Sequence, residues 1–419
     1  MNRIYYKLNI ELESPLSIGS GLNANTDKDV LVDSNRRPFI PATSLAGVLR
    51  SAVDDRITAN KIFGFLPTSK GKKAKEPETE EEYCERPSAI RVYDGLLDSY
   101  DEKSFFITNR DMVALENKVA IKGAKFDMEA VEPGTKFTAY IELLDPDYRE
   151  FIKKALAKLN SGAIRLGTKT TRGYGKVSVT VYEKRIKTIE DWLDFDMFDC
   201  SDWASPLTLN DDDIFKISLE FKLKGGISIR EYTTEVSTDT DTAPDYKQLA
   251  LHDKDGTPVI PGTSWAGAIR DRYIELSGKD KEDTAVESLF GFVHDKKKDG
   301  DDKCQKSRII FSESKLSGGV WKKTTRNSID RFTGGTKDGA LYTELTYYNG
   351  TTTLEISIKA PKADEKKILC AVLADLHYGF LAVGGLTSIG RGLFEITKAN
   401  ENEVSGDIYE FLVKEVCSK

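Results

Sequence analysis

The chain repeats itself, and this repetition limits the folds that it can adopt. The segment IPATSLAGVLR begins at Ile40 and returns as IPGTSWAGAIR at Ile260, 220 residues later. IFGF at Ile62 returns as LFGF at Leu289, 227 residues later. Internal repeats keep the order of their motifs, so matches in the same order at a nearly constant distance indicate a duplication. Both halves are therefore expected to adopt the same fold.

Two further pairs of motifs extend the match toward the end of each half. AIRVYDG around Ile90 is similar to SRIIFSES around Ile309, and both have the alternating apolar residues of a short strand. TTRGYGKV contains Arg172 and pairs with SIGRGLFEI, which contains Arg391, 219 residues later. This alignment places the two arginines at equivalent positions.

The order of predicted elements is the same in both halves. An alternating strand comes first, near Tyr6 and near Phe215, and a helix begins at each IP-T-S segment. Central strands follow, and then a helix with apolar residues at i, i+3 and i+4, which starts near Asp147 or Asp364. A glycine-rich turn and a last strand close each half. We therefore predict an α+β protein made of two tandem ferredoxin-like (RRM-like) domains.

Changes in composition suggest where these domains begin and end. We predict a first domain, a connector, a second domain and a C-terminal helical tail over residues 1–187, 188–212, 213–400 and 401–419. The connector contains DWLDFDMFDCSDW, which is predicted to form a short helix, and the polar stretch PLTLNDDD. Charged insertions with few apolar residues start at Ser69 and at His294, at the same place in each repeat, and are predicted to be mobile surface loops.

The overall composition is that of a soluble protein. The 419 residues carry a net charge of −7, but 61 of them are Lys or Arg, so a basic groove can coexist with acidic outer loops. No apolar run approaches the roughly 20 residues of a membrane span, and the N-terminus lacks the apolar core of a signal peptide. We expect a cytoplasmic protein without membrane contact. Its five cysteines include no CxxC pair, which argues against a zinc site or a disulfide framework.

The two glycine-rich turns are the strongest candidate binding segments. Glycines let a backbone approach a partner closely, and hydroxyl and basic side chains offer donors to phosphates. The candidate residues are Lys169, Thr170, Arg172 and Tyr174 in the first turn, and Ser388 and Arg391 in the second. The alternative is a tight helix-to-strand turn with ordinary polar residues, because glycine patterns alone are weak signals.

The helices at the IP-T-S segments are the second candidate. Ser44 and Ser264 are predicted to be N-caps, and the free amides at each helix N-terminus would face a phosphate. Arg50 and Arg270, at equivalent positions, would add charge-assisted contacts. The alternative is that the serines only cap the helices and the arginines only lie in solvent.

Taken together, these motifs resemble the RAMP superfamily (repeat-associated mysterious proteins). The resemblance covers most of both halves: a first strand that ends in a glycine-rich bend, an Asp-containing loop, IPxxS with its helix, FG, a hairpin-like middle and a late G-x-G turn. Within that family the chain is most similar to the backbone subunits of type III CRISPR effector complexes, and its tandem arrangement resembles the fused subunits of the III-D variety. The resemblance implies RNA binding, with guide (CRISPR) RNA, single-stranded target RNA and other effector subunits as partners.

Backbone subunits of this family carry a protruding thumb that interrupts base pairing between guide and target. TTRNSIDRFTGGTKDGALYTEL, from Thr324 to Leu345, resembles such a thumb, and Asn327 and Arg331 are thereby implied to contact RNA. The counterpart in the first half, residues 112–131, is more divergent, with Leu115-Glu116 in place of Ile329-Asp330.

Type III backbone subunits also cleave target RNA with an Asp in the loop after the first strand and a divalent metal, Mg²⁺ (or Mn²⁺). Asp27, fourteen residues before Pro41, falls at the matching place and would also bind the metal, and Asp29 is the neighbouring alternative. A carboxylate there can hold the ion or help to deprotonate the ribose 2′-OH.

The second half departs from this pattern. Fourteen residues before Pro261 the sequence has Lys247 and not an aspartate. Either Asp245 is the catalytic residue of a shifted loop, or the second site is inactive.

Three other functions remain open on the sequence. The chain could be an architectural RNA-binding subunit without cleavage, a guide-processing ribonuclease that acts alone, or a protein-interaction module without nucleic acid. Processing relatives often rely on histidine, and none of His252, His294 and His377 is placed like one of a catalytic pair, which argues against that alternative.

Overall fold

A computed structural model of the protein describes residues 2–21, 26–66, 85–99, 101, 104–116, 119–198, 203, 205–210, 214–232, 248–253, 255–293 and 304–417. The chain forms two compact units. The first comprises residues 1–170 and 174–213, and the second comprises residues 171–173 and 214–419. The insertion that starts at Ser69 lies outside the described residues, as do residues 294–303 of the second insertion and the candidate Asp245.

The first unit is built around one antiparallel sheet. Its elements are β1 (Arg3–Leu12), α1 (Ala42–Arg50), α2 (Arg56–Phe63), β2 (Ile90–Val92), β3 (Leu96–Leu97), β4 (Ile107–Glu116), β5 (Val119–Val131), β6 (Lys136–Leu143), α3 (Arg149–Ser161), β7 (Val177–Ile186) and α4 (Ile189–Leu193). The strand order is β2-β6-β1-β7, and β3 pairs with the far end of β6. Strands β4 and β5 form a separate hairpin.

Alternation along the central strand decides which face of this sheet is buried. Ile4, Tyr6 and Leu8 of β1 are buried on one face, because successive side chains of a strand point to opposite sides. Leu45 and Leu49 of α1 belong to the same apolar core as those strand residues, as do Ile152, Leu156 and Leu159 of α3. Burial of these stripes holds the helices on the sheet.

The second unit repeats this plan. Its elements are β8 (Ile214–Lys224), β9 (Arg230–Tyr232), β10 (Gln248–Ala250), β11 (Val259–Ile260), α5 (Gly262–Ser277), α6 (Thr284–Phe290), β12 (Phe292–Val293), β13 (Cys304–Gln305), β14 (Ile309–Phe311), β15 (Ser314–Lys315), β16 (Val320–Arg326), β17 (Tyr342–Tyr348), β18 (Thr351–Lys359), α7 (Ala363–Tyr378), β19 (Leu393–Ala399), β20 (Asn402–Glu403) and α8 (Ile408–Cys417). The main sheet has the order β14-β18-β8-β19-β20, and its first four strands match β2-β6-β1-β7 in their order along the chain. The predicted mixture of helices and sheets in two similar units is therefore confirmed, and the main sheets are antiparallel.

Two helices begin directly after a proline and not at the predicted serine caps. Helix α1 begins after Pro41 and α5 after Pro261, and neither has a side-chain cap. Ser44 and Ser264 lie inside the first turn, where their amides donate to the carbonyls of those prolines at 2.9 Å. The prediction that the two serines are N-caps is wrong, because the fixed φ of proline already suits the residue that enters the helix.

Helices α2 and α6 were not predicted. Asp55 caps α2, and its carboxylate accepts hydrogen bonds from the amides of Ile57 and Thr58. Asp283 caps α6 in the same way at the amide of Ala285. No helix in the parts of the chain that the structure describes is both long and apolar enough to cross a membrane.

Candidate functional site

The glycine-rich turns require glycine at one position in each unit. The amide of Leu166 donates to the carbonyl of Gly175 at 3.0 Å, and a Cβ on Gly175 would lie 1.9 Å from the carbonyl oxygen of Leu166. In the second unit Val383 and Gly392 make the same hydrogen bond at 2.9 Å, with the same 1.9 Å approach. No side chain fits at either glycine, so these two positions are equivalent.

This equivalence corrects the alignment of the two turns. With Gly175 on Gly392, Arg391 corresponds to Tyr174, and Arg172 corresponds to Ile389. The short 3-10 turns Thr170–Arg172 and Thr387–Ile389 agree with this register. The pairing of Arg172 with Arg391 is therefore wrong by two residues, because the backbone contact at the glycine sets the register and the charge of a side chain does not.

The two equivalent side chains attach each turn to a hairpin. Tyr174 is buried against Met128 of β5. Arg391 is buried too, and its Nη2 donates to Oε1 of Glu344 in β17 at 2.8 Å. The Arg391 guanidinium also lies 4.8 Å from the centre of the Tyr348 ring. Their predicted RNA contacts stay predictions, and the observed contacts of both side chains are within the protein.

The other residues of the turns differ in exposure. Lys169 has a left-handed backbone, with φ of 56°, and its ammonium lies 4.4 Å from the centre of the Phe126 ring. Thr170 is buried, whereas Arg172 and Ser388 are exposed. Of the basic residues predicted on these turns, Arg172 is thus the one whose side chain faces solvent.

The loop that carries the candidate catalytic residue is attached to β5. The amide of Asp27 donates to Oδ1 of Asp127 at 3.0 Å, and the amide of Asp127 donates to Oδ2 of Asp27 at 3.1 Å. The next residues continue the contact, because the amide of Glu129 donates to the carbonyl of Lys28 at 3.0 Å. The carboxylate of Glu129 accepts from the amide of Val30 at 2.8 Å. Residues 27–30 therefore run along β5 and are held at several points.

The two acidic candidates in this loop have different surroundings. Asp29 is buried, and its Oδ1 accepts from the amide and the hydroxyl of Thr26 at 2.8 and 3.0 Å. Asp27 is exposed. A buried carboxylate that accepts hydrogen bonds from its own loop folds that loop, whereas an exposed carboxylate can meet a ligand. The geometry therefore favours Asp27 over Asp29 as the reactive group.

Strand β5 brings the loop and the first glycine-rich turn to the same place. Phe126 contacts Lys169, Asp127 contacts Asp27, and Met128 packs with Tyr174. The sequence predicts Asp27, Lys169 and Tyr174 as site residues, but it does not point to the three residues of β5. Nothing in the local sequence marks them, because Asp127 is 100 residues from its partner along the chain.

The chemistry of the loop fits a lightly held divalent cation. Mg²⁺ prefers oxygen ligands and is commonly bound by one or two carboxylates, with water and substrate phosphates completing its shell. Asp27 would be the protein ligand of such an ion, because Oδ1 of Asp127 already accepts from the Asp27 amide. Over the residues that the structure describes, no group of three or more His, Cys, Asp and Glu side chains is gathered for a metal.

The helix N-terminus of the first unit already has an anionic partner. The carboxylate of Asp94 accepts a hydrogen bond from the amide of Ala42 at 2.6 Å. Arg50, at the other end of α1, donates to the carbonyl of Gly64 at 2.9 Å and to Asn60, and so joins α1 to α2. Arg270, its counterpart in α5, is half-buried.

The hairpin of the second unit presents the residues that were predicted to contact RNA. Asn327 and Arg331 are exposed on the segment between β16 and β17, and Phe332 is 96% exposed. Oδ1 of Asp330 accepts from the amides of Thr333 and Phe332 at 2.9 and 3.0 Å. These two hydrogen bonds hold the pKa of Asp330 below its ordinary value. The ionised carboxylate of Asp330 therefore holds residues 330–333, at the tip of this hairpin, in a turn.

The outer sheet face of the first unit is covered. Some RNA-binding domains stack bases on aromatic residues of a four-stranded sheet. Here Tyr5 lies 4.8 Å from Phe195, and Tyr140 lies 5.2 Å from Phe198, between ring centres. Both phenylalanines belong to the segment after β7. The connector thus occupies the face on which bases would stack.

Comparison with known proteins agrees with the duplicated architecture. The model of the RAMP superfamily matches residues 9–178 and again residues 241–395. None of the curated proteins matches the chain. Proteins of this family bind RNA within multi-subunit complexes, which suggests a CRISPR-associated RNA-binding role. The chain therefore belongs to the RAMP superfamily and contains two regions that match its domain.

Proposed function

We propose that this protein binds guide RNA as a backbone subunit of a type III CRISPR effector complex, and that Asp27 supports metal-dependent cleavage of the guide-paired target RNA. The observation that carries the proposal is the environment of Asp27. Its side chain is exposed, while its amide and its carboxylate both form hydrogen bonds with Asp127. The tandem plan in one chain is similar to the fused III-D subunits.

A fixed, exposed carboxylate suits the proposed reaction. Asp27 would accept the proton of a ribose 2′-OH, directly or through one water molecule. The 2′ oxygen then attacks the adjacent phosphorus, and the bond to the 5′ oxygen breaks. A proton from water completes the leaving hydroxyl, and the other fragment ends in a 2′,3′-cyclic phosphate. A bound Mg²⁺ or Mn²⁺ would stabilise the charge that develops on the phosphate oxygens.

The proposed layout follows the two units. We assign residues 1–187 and 213–400 to two RAMP domains of the ferredoxin-like type, residues 188–212 to the connector and residues 401–419 to the tail. The matching strand orders of the two main sheets support this layout. The hairpins β4–β5 and β16–β17 would be the thumbs.

A purely architectural RNA-binding role is the second candidate. The small number of possible metal ligands around Asp27 favours it, because many metal-dependent nucleases gather more carboxylates than the described residues do here. Under this alternative the exposed hairpin residues Asn327 and Arg331 would bind RNA, and Asp27 would have no role in chemistry.

The deciding experiment is cleavage of a labelled target RNA by the assembled complex in the presence of Mg²⁺. Wild type is compared with Asp27→Ala, Asp245→Ala and the double variant. Asp33→Ala is the matched control, because Asp33 is also an exposed loop carboxylate, but its partners are the amides of Asn35 and Arg37.

We expect Asp27→Ala to remove one defined product without changing RNA affinity, and Asp33→Ala to cut normally. Loss of a second product in Asp245→Ala would indicate a second site. If Asp27→Ala cuts as wild type does, the catalytic assignment is wrong and the architectural role replaces it.

A further inference from the structure

We propose that Asp127 is a positioning residue that holds Asp27 in the orientation needed for cleavage. This inference rests on the proposed function of Asp27. Asp127 lies on β5, in the hairpin of the first unit, and contacts Asp27 without belonging to its loop.

The two residues form a closed pair of hydrogen bonds. The side chain of Asp127 accepts from the main chain of Asp27 at 3.0 Å, and the main chain of Asp127 donates to the side chain of Asp27 at 3.1 Å. The first bond fixes the backbone from which the Asp27 side chain projects, and the second fixes the carboxylate itself. Oδ1 of Asp27 has no hydrogen-bond partner among the described residues, so it is the oxygen left for substrate.

An exposed aspartate needs such a restraint. A surface side chain samples several rotamers, whereas a general base or a metal ligand must stay close to one orientation. A hydrogen bond of this kind contributes about 0.7–1.4 kcal/mol, which corresponds to a roughly three- to tenfold change in the population of the productive orientation. Loss of the Asp127 side chain should therefore lower the cleavage rate by a similar factor.

The rest of the loop stays attached without the Asp127 carboxylate. Glu129 accepts from Val30 at 2.8 Å, and the Glu129 amide donates to the carbonyl of Lys28 at 3.0 Å. The buried carboxylate of Asp29 folds the preceding residues. A variant at Asp127 thus loosens Asp27 while the loop remains on β5.

The equivalent position of the second unit lacks this arrangement. The amide of Leu16 donates to the carbonyl of Val131, and the amide of Ile227 makes the same hydrogen bond to the carbonyl of Tyr347. Val131 and Tyr347 are therefore equivalent positions of the two hairpins. Four residues earlier, Thr343 stands where the first unit has Asp127. The hydroxyl of Thr343 lies 2.9 Å from that of Thr325 within its own hairpin. A carboxylate at this position of the hairpin is therefore found in the first unit and not in the second.

The test compares Asp127→Ala with Asp127→Asn in the assembled complex. Asparagine keeps an oxygen that can accept from the Asp27 amide but removes the charge, whereas alanine removes the acceptor. We expect Asp127→Ala to cleave target RNA three- to tenfold more slowly with unchanged RNA affinity, and Asp127→Asn to remain within about twofold of wild type. Equal losses in both variants would mean that the charge of Asp127 acts directly, and would overturn the positioning role.

A second measurement does not depend on cleavage. Hydrogen exchange of peptides that cover residues 26–31 should be faster in Asp127→Ala and unchanged in Asp127→Asn. Unchanged exchange in the alanine variant would overturn the inference. Asp27→Ala, included in the same series, tests the proposed function separately: if it cuts normally, that function falls, while the exchange data still decide whether Asp127 holds Asp27.

Discussion

Arg391 and Glu344 form an ion pair of 2.8 Å in which the two side chains are only 5% and 4% exposed. Tyr174 and Met128 stand at the equivalent positions of the first unit and form an apolar contact. The same connection between turn and hairpin is thus made by charge in one unit and by packing in the other. Because a buried charge without its partner is costly, the two connections should respond differently to substitution.

Arg391→Ala should destabilise the second unit by up to about 3–5 kcal/mol, because Glu344 would stay buried and, of its two ion-pair partners among the described residues, would keep only Arg326, 3.3 Å away. The double variant R391Y/E344M, which copies the pair of the first unit, should recover most of that loss. Calorimetric unfolding of the three proteins measures both effects. A double variant as unstable as Arg391→Ala would contradict the proposed equivalence.

Gly175→Ala should prevent the first glycine-rich turn from forming. Its Cβ would lie 1.9 Å from the carbonyl oxygen of Leu166, so we expect a loss of more than about 3 kcal/mol in the free energy of unfolding. Gly134→Ala is the matched control, because Gly134 also has a positive φ but no atom within 4 Å of an added Cβ. The control should lose only about 1–2 kcal/mol from backbone strain. Urea denaturation measures the free energy of unfolding of both variants. Equal losses would mean that backbone strain, and not the close approach to Leu166, causes the destabilisation.

Tyr5 should make the first unit lose stability at alkaline pH. Burial under the connector, followed by the hydrogen bond to Glu142, raises the pKa of Tyr5 from its ordinary value of 10 to about 12. The folded protein therefore keeps this proton where the unfolded chain has lost it, so the stabilisation is complete below pH 10 and disappears as the pH rises toward 12. The effect amounts to at most about 2–3 kcal/mol.

The matching variant is Tyr5→Phe, which has no proton to lose at this position. Its unfolding free energy should fall less steeply than that of wild type between pH 10 and pH 12, as followed by urea denaturation at several pH values. Parallel curves for the two proteins would mean that the pKa of Tyr5 is the same in the folded and the unfolded chain.

Arg331→Ala should weaken RNA binding in a salt-dependent way. Its exposed guanidinium lies on the ordered tip of the second hairpin, where a single phosphate contact contributes about 1 kcal/mol. We expect a roughly fivefold loss of affinity at low salt, and a slope of log K against log salt that is smaller by about 0.7. Lys279→Ala, which removes a cation that pairs with Asp283 at 3.3 Å, should bind as wild type does. An unchanged salt slope for Arg331→Ala would exclude a phosphate contact.

The resemblance to the RAMP superfamily predicts Asp27 in its loop and Asn327 and Arg331 on the hairpin, and the structure shows that all three are exposed. Their roles stay predictions. Asp127 had no such signal, because its role depends on a residue 100 positions away. The pairing of Arg172 with Arg391 failed because similar letters were aligned, whereas the close approach of Gly175 to the carbonyl of Leu166 sets the register.

The sequence by itself determined that the chain is a duplication and a mixed α/β protein, because periodic burial of apolar residues and the order of motifs are properties of short segments. Tertiary structure alone decided that Asp27 is exposed and Asp29 is buried, that β5 joins the loop to the glycine-rich turn, and that the connector covers Tyr5 and its neighbours. These features arise from hydrogen bonds and packing between residues far apart in the chain, and no local pattern of residues specifies which distant groups will meet.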